Sequence, residues 1–175
     1  MIHGVTCGAG MPYRLGEICA AHEVYYHPIV SSMRAFRALW LRAYKKTSDW
    51  LGSVVYEDPW LAGGHNGLSN AEDPLKPEDP YPRVKALRET MREGGISDDV
   101  PIVMAGGVCY LRDWNAWIDN PELGAIAFQF GTRPLLTRSP STCTGGTMST
   151  SKPNSAACAA HHPASASPPR PKRKS

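Results

Sequence analysis

Apolar residues between positions 1 and 138 fall into short unbroken runs, separated by stretches of helical period. The first run, Ile2–Cys7, ends at Gly8-Ala9-Gly10, and the second, Val24–Val30, is interrupted by Pro28 and leads into Ser31-Ser32. Met33, Phe36, Arg37, Trp40, Leu41 and Tyr44 then recur at steps of three and four, which predicts a helix with a serine at its N-cap. Ser53–Tyr56 reads as a short β-branched strand, followed by a long loop, Glu57–Tyr81, rich in Gly, Pro and Asp. After Pro82, the spacing of Val84, Leu87, Arg88 and Met91 marks a helix closed by Gly94-Gly95. Val100–Ala105 is a strand running into Gly106-Gly107, Leu111–Ile118 is expected to be helical, and Ala125–Phe130 is a strand ending in Gly131-Thr132.

Five apolar runs alternating with helices predict a parallel sheet buried on both faces, an α/β architecture. With 175 residues, the chain is too short for a complete eight-stranded β/α barrel, which needs at least ~200. The expectation is therefore a partial barrel or a small open sheet. The glycine-rich and polar residues follow the C-terminal ends of the strands, where parallel α/β folds bind ligands.

Composition changes at Ser139, beyond which the chain is mostly Ser, Thr, Pro, Ala and Lys/Arg with no helical or strand period. Such a segment buries too little apolar surface to offset its chain entropy, so residues 1–138 are expected to form the domain and 139–175 a disordered tail. Six of the 19 basic residues lie from Thr137 onward with no acid among them, which leaves 13 against all 16 acids in the body. The mildly acidic body presents no basic face with aromatics, and this argues against nucleic-acid binding. Five cysteines without a CxxC pair argue against a disulfide framework or a zinc site, and His161-His162 lacks partners for one. No run reaches the ~18 apolar residues of a membrane span, and no signal-peptide pattern opens the chain. A cytoplasmic protein of a reducing compartment is expected.

Three motifs carry chemistry. Met104-Ala105-Gly106-Gly107-Val108 and Gln129-Phe130-Gly131-Thr132-Arg133 follow the last two strands. Glycine lets the main chain approach a dianion closely, and paired loops of this kind on neighbouring strands point to a phosphate site; each alone is equally a turn. The third motif, Leu61-Ala62-Gly63-Gly64-His65-Asn66-Gly67, places a histidine between glycines in a loop. Its imidazole titrates close to working pH and is a candidate for proton transfer, or else a loop histidine with a hydrogen-bonding role. Trp60, Leu61 and Leu68 either line an apolar pocket or pack on the rim. His3, His22 and His27 have no such setting and read as structural.

Taken in register, these stretches resemble the nitronate monooxygenases, FMN-dependent β/α barrels. Ala62–Gly67, Pro101–Val108 and Gln129–Arg133 match family motifs in the family's order, and Gly8–Pro12 and Pro28–Ser32 look similar to two more. The resemblance implies that Gly106, Gly107, Gly131 and Thr132 hold the FMN phosphate, that Gln129 lies beside the cofactor, and that Gly63 lets the chain pass close to it. His65 would be the catalytic base or the residue orienting the nitronate, with oxygen as co-substrate and a carbonyl compound and nitrite as products. A related FMN-dependent enoyl reductase shares the Gly-Gly-His loop, and a non-catalytic fragment is a further reading. Three departures stand out. Asp58-Pro59 replaces the family's Gln/Glu-Gly, the first three barrel strands have no counterpart, and the Ser/Pro/Lys tail replaces ordered sequence. A truncated or frame-shifted reading of a longer gene is the expectation, with marginal stability, weak FMN binding and poor activity.

Overall fold

The computed structural model describes residues 2–8, 10–63, 67–69 and 72–135. The proposed tail, 139–175, lies outside them. Five parallel strands form one sheet in the order of the chain: β1 Gly4–Cys7, β2 Tyr25–Val30, β3 Val54–Glu57, β4 Ile102–Ala105 and β5 Ile126–Gln129. Consecutive parallel neighbours require crossover connections, and the right-handed crossover rule places those connections on one face. The connections carry α1 Leu15–Ala21, α2 Met33–Arg42 and α3 Pro80–Glu93, with 3-10 turns at Tyr44–Trp50 and Leu111–Trp114, and α4 Thr132–Leu135 follows β5. The result is an α/β fold, a partial barrel.

Register explains how the strands pack. Val54 pairs with Ile102 and Ile102 with Ile126, while Tyr56 pairs with Met104 and Met104 with Phe128. These rows face the helices, where Phe36, Leu39 and Trp40 of α2 and Val84, Leu87 and Met91 of α3 close the core. Alternation sends Ile29, Val55, Val103 and Ala127 to the opposite face, again in one row.

Helix ends follow their local chemistry. Ser32 caps α2 by accepting the Ala35 N–H, and Asp79 caps α3 by accepting the Tyr81 N–H, one residue before Pro80. Helix α3 stops in a Schellman turn, with Ile96 N–H donating to Met91 O at 3.0 Å and Gly95 at φ +80°. One expectation is corrected here. Only Leu111–Trp114 of the predicted Leu111–Ile118 helix is helical, and it is a 3-10 turn. Among the described cysteines, Cys7 and Cys19 are free thiols and Cys109 is disulfide-bonded.

The ends of α3 and of the sheet are tied by a buried arginine. Arg88, fully buried, donates Nε–H to Leu123 O, Nη1–H to Val100 O at 3.0 Å and Nη2–H to Ala125 O at 2.8 Å. These carbonyls stand at the entrances of β4 and β5, opposite the glycine turns. Burial lowers the Arg88 pKa from its ordinary value.

Candidate functional site at the strand ends

Ala105 and Gln129 are register partners at the last positions of β4 and β5. Gly106-Gly107 follow Ala105 directly and Gly131-Thr132 follow Gln129 after Phe130, so both turns leave neighbouring strands at the same end of the sheet. Gly106 has φ +94° and Gly107 φ +70°, a left-handed region that favours glycine. A Cβ on Gly106 would stand 2.9 Å from Ala62 N, and one on Gly107 would stand 2.6 Å from Leu61 Cδ1. The absence of side chains here is what lets the loop after β3 settle against the turn after β4.

That loop is fixed from below by Asp58, which is fully buried at the exit of β3. Its Oδ1 accepts the N–H groups of Trp60 and Leu61, both at 2.9 Å, and its own N–H donates to Ala105 O at 2.8 Å. Its carbonyl accepts from Ala62 N–H at 2.9 Å. Oδ2 is buried without a hydrogen-bond partner. Burial raises the Asp58 pKa, against the two backbone N–H bonds and the positive field of Arg83. An aspartate followed directly by a proline, Asp58-Pro59, at a strand exit is the sequence signal for such a turn. The sequence reading registered Asp58 only as a departure from a motif.

Arg83 of α3 holds the loop from the side. It donates Nε–H to Tyr56 Oη at 3.0 Å and Nη2–H to Ser31 O at 3.1 Å, pairs with Glu72 and Glu78, and lies over the Trp60 ring at 5.1 Å. Trp60 Nε1–H donates to Asp73 O, and Ser31 Oγ–H donates to Gly67 O, so Ser31 at the exit of β2 also touches the loop. Trp60 and Leu61 thus pack on loop and turn rather than stand free.

The predicted site residues divide. Gly106, Gly107, Gly131, Thr132 and Gln129 are brought to one end of the sheet, with Gln129, Gly131 and Thr132 exposed. Gly63 is exposed too, with open space where a Cβ would be. His65, with Gly64 and Asn66, lies outside the described residues. The N–H groups of Gly106, Gly107 and Gly131 meet no acceptor among the described residues. Backbone donors gathered at strand ends on residues without side chains fit the phosphate of a nucleotide.

Elsewhere, an open cleft of about 440 Å³ is lined by Ile118, Asn120, Pro121, Gly124 and Ile126, at the entrance of β5 and away from the glycine turns. Among the described residues no three His, Cys, Asp or Glu side chains converge as a metal site, and no helix is long and apolar enough to cross a membrane.

No protein-family model and no curated protein matches the sequence. Among solved structures the chain is similar to FabK from Thermotoga maritima, at TM-score 0.51 and 21% identity over 75% of this chain and 33% of FabK. A mutant form of the same protein matches at TM-score 0.50 and 21% identity, over 75% of this chain and 35% of that one. The chain thus spans about a third of the length of these structures, and what it shares with them is the fold.

Proposed function

We propose that this chain carries the phosphate-binding and proton-handling end of an FMN-dependent oxidoreductase barrel of the enoyl reductase type. The carrying observation is the side-by-side exit of Gly106-Gly107 and Gly131-Thr132 from β4 and β5, with backbone N–H groups of the glycines that meet no acceptor among the described residues. The likeness to FabK supports this reading over nitronate oxidation. Nitronate oxidation stays as the second reading, on the order and spacing of the motifs Ala62–Gly67, Pro101–Val108 and Gln129–Arg133.

The flavin, when bound, supplies the redox chemistry. The chain's residues bind and position. The N–H groups of Gly107 and Gly131 and the Thr132 hydroxyl would donate to the phosphate, and Gln129, at the end of β5, would lie beside the cofactor. Asp58 and Arg83 set the loop that leads to Gly63 and His65. His65 holds or delivers the proton that electron transfer to or from the substrate demands.

Incubation of the purified chain with FMN, gel filtration and a visible spectrum test the reading. A flavin band that survives filtration is expected, and its absence removes the enzymatic readings for this chain. Consumption of NADH or NADPH with an enoyl thioester favours the reductase, and nitronate-dependent oxygen uptake without a nicotinamide favours the monooxygenase.

A further inference from the structure

Next to the glycine turns, two cations share one aromatic ring. The Arg112 guanidinium carbon lies 4.6 Å from the Tyr110 ring centroid and that of Arg133 lies 4.5 Å from it. The guanidiniums are therefore within about 9 Å of each other, inside one Debye length at moderate salt, so they repel unless an anion stands between or beside them. Arg133 has no carboxylate partner among the described residues, and Arg112 reaches only Asp113, at 3.8 Å with 75% of the arginine side chain exposed. An exposed ion pair of that length contributes little.

The chain spends structure on this arrangement. Tyr110 follows the β4 turn by three residues and Arg133 follows Thr132 directly, so the stack joins the two loops whose glycines form the candidate cradle. Tyr110 and Arg112 come from one stretch and Arg133 from another, 21 residues further on, so the linear sequence does not show the three together. A ring under a guanidinium plane restricts its rotation and leaves its N–H edge available for bidentate contact with phosphate oxygens.

We propose that Arg112, Tyr110 and Arg133 form a phosphate-binding clamp at the rim of the sheet. The inference rests on the proposed function only for which phosphate arrives there. Two sources share the chemistry: the terminal phosphate of the flavin nucleotide itself, and a phosphate of a second, phosphorylated substrate or electron donor.

The probe is inorganic pyrophosphate, titrated by calorimetry into the full chain without flavin and compared with Arg112→Gln, Arg133→Gln, the double variant and Tyr110→Leu. Saturable binding that weakens with salt is expected, reduced about tenfold or more by each arginine substitution and lost in the double variant. Tyr110→Leu is expected to weaken it as well, because the stack no longer aligns the guanidiniums. Unchanged far-UV circular dichroism separates these effects from unfolding. No pyrophosphate binding by the wild type, or equal binding by the double variant, overturns the clamp. FMN and riboflavin identify the source. If the arginine variants lose FMN affinity and keep riboflavin affinity, the clamp holds the flavin phosphate. If both flavins bind as before while pyrophosphate binding falls, it serves a second ligand. A chain that takes no flavin but binds pyrophosphate through these arginines defeats the oxidoreductase reading and leaves the clamp standing.

Discussion

Asp58 Oδ1 accepts the backbone N–H of Leu61 at 2.9 Å, closing a tight turn at the exit of β3 with its other carboxyl oxygen buried and unpartnered. The Asp58 pKa is raised, so the folded state holds the proton more tightly than the unfolded chain does. Stability therefore rises as pH falls through the folded-state pKa toward the ordinary value of 3.8, the reverse of a salt-bridged carboxylate. Asp58→Asn keeps the acceptor and is expected to flatten this slope in urea titrations between neutral and mildly acidic pH. Asp58→Ala leaves the Trp60 and Leu61 N–H groups without their acceptor and is expected to cost about 2 kcal/mol. Identical pH slopes for wild type and Asp58→Asn contradict the assignment.

Gly106→Ala combines a left-handed φ with a Cβ that would stand 2.9 Å from a backbone nitrogen. Backbone atoms give way less readily than side chains, so a loss of about 2 kcal/mol is expected, with displacement of residues 58–62. Gly107→Ala meets a flexible Leu61 tip and should cost less. Thermal melts of the two variants side by side give the order, and a harmless Gly106→Ala refutes the close approach.

Removing the Arg83 guanidinium unties Glu72 and Trp60 of the loop after β3 from Tyr56 and Ser31 at the strand ends. Arg83→Ala is expected to cost on the order of 3 kcal/mol and to raise proteolytic cleavage between Ala62 and Lys76 well before global unfolding. Uniform protease sensitivity across the chain counts against local loosening.

His27 occupies a slot on the face of the sheet away from the helices. Its Nδ1 lies 2.8 Å from Ser53 Oγ, and a Cβ on Gly52 would stand 2.4 Å from its Cε1. Burial lowers its pKa below 6.5, so protonation favours the unfolded chain, and His27 contributes stability that is lost as pH falls below 6.5. This slope opposes that of Asp58. His27→Gln is expected to remove it, and Gly52→Ala to destabilise the protein by about 1–3 kcal/mol by displacing the ring. Chemical-denaturation midpoints across pH 7 to 5 measure the first effect.

Much of this architecture is legible in the residues. Four strands fall inside the apolar runs and β3 overruns its own by one residue, Glu57, because strands covered by helices need no polar alternation. Helices α2 and α3 announce themselves through Ser32, the proline pair Pro80 and Pro82, and Gly94-Gly95. Helix α1 does not. Arg14 gives it no side-chain cap, and the left-handed residue after it is Glu23, at φ +55°, where a glycine would have been read as a stop. At the site, glycines before and after strand ends were readable because backbone approach needs them. Asp58, Arg83 and Tyr110 act through partners far along the chain, such as Ala105, Tyr56 and Arg133, and no local spacing encodes those contacts.

Arg88 caps three carbonyls at the strand entrances, so Arg88→Met is expected to cost about 3–5 kcal/mol, read in urea unfolding, with little change in pyrophosphate affinity for whatever fraction remains folded. Under the proposed function, the two rims of one sheet answer to different demands. Substitutions around Arg88 and Leu123 would tune endurance, and substitutions of Arg112, Tyr110 and Arg133 would tune recognition. Anyone reshaping this scaffold can harden one rim while rewriting the other.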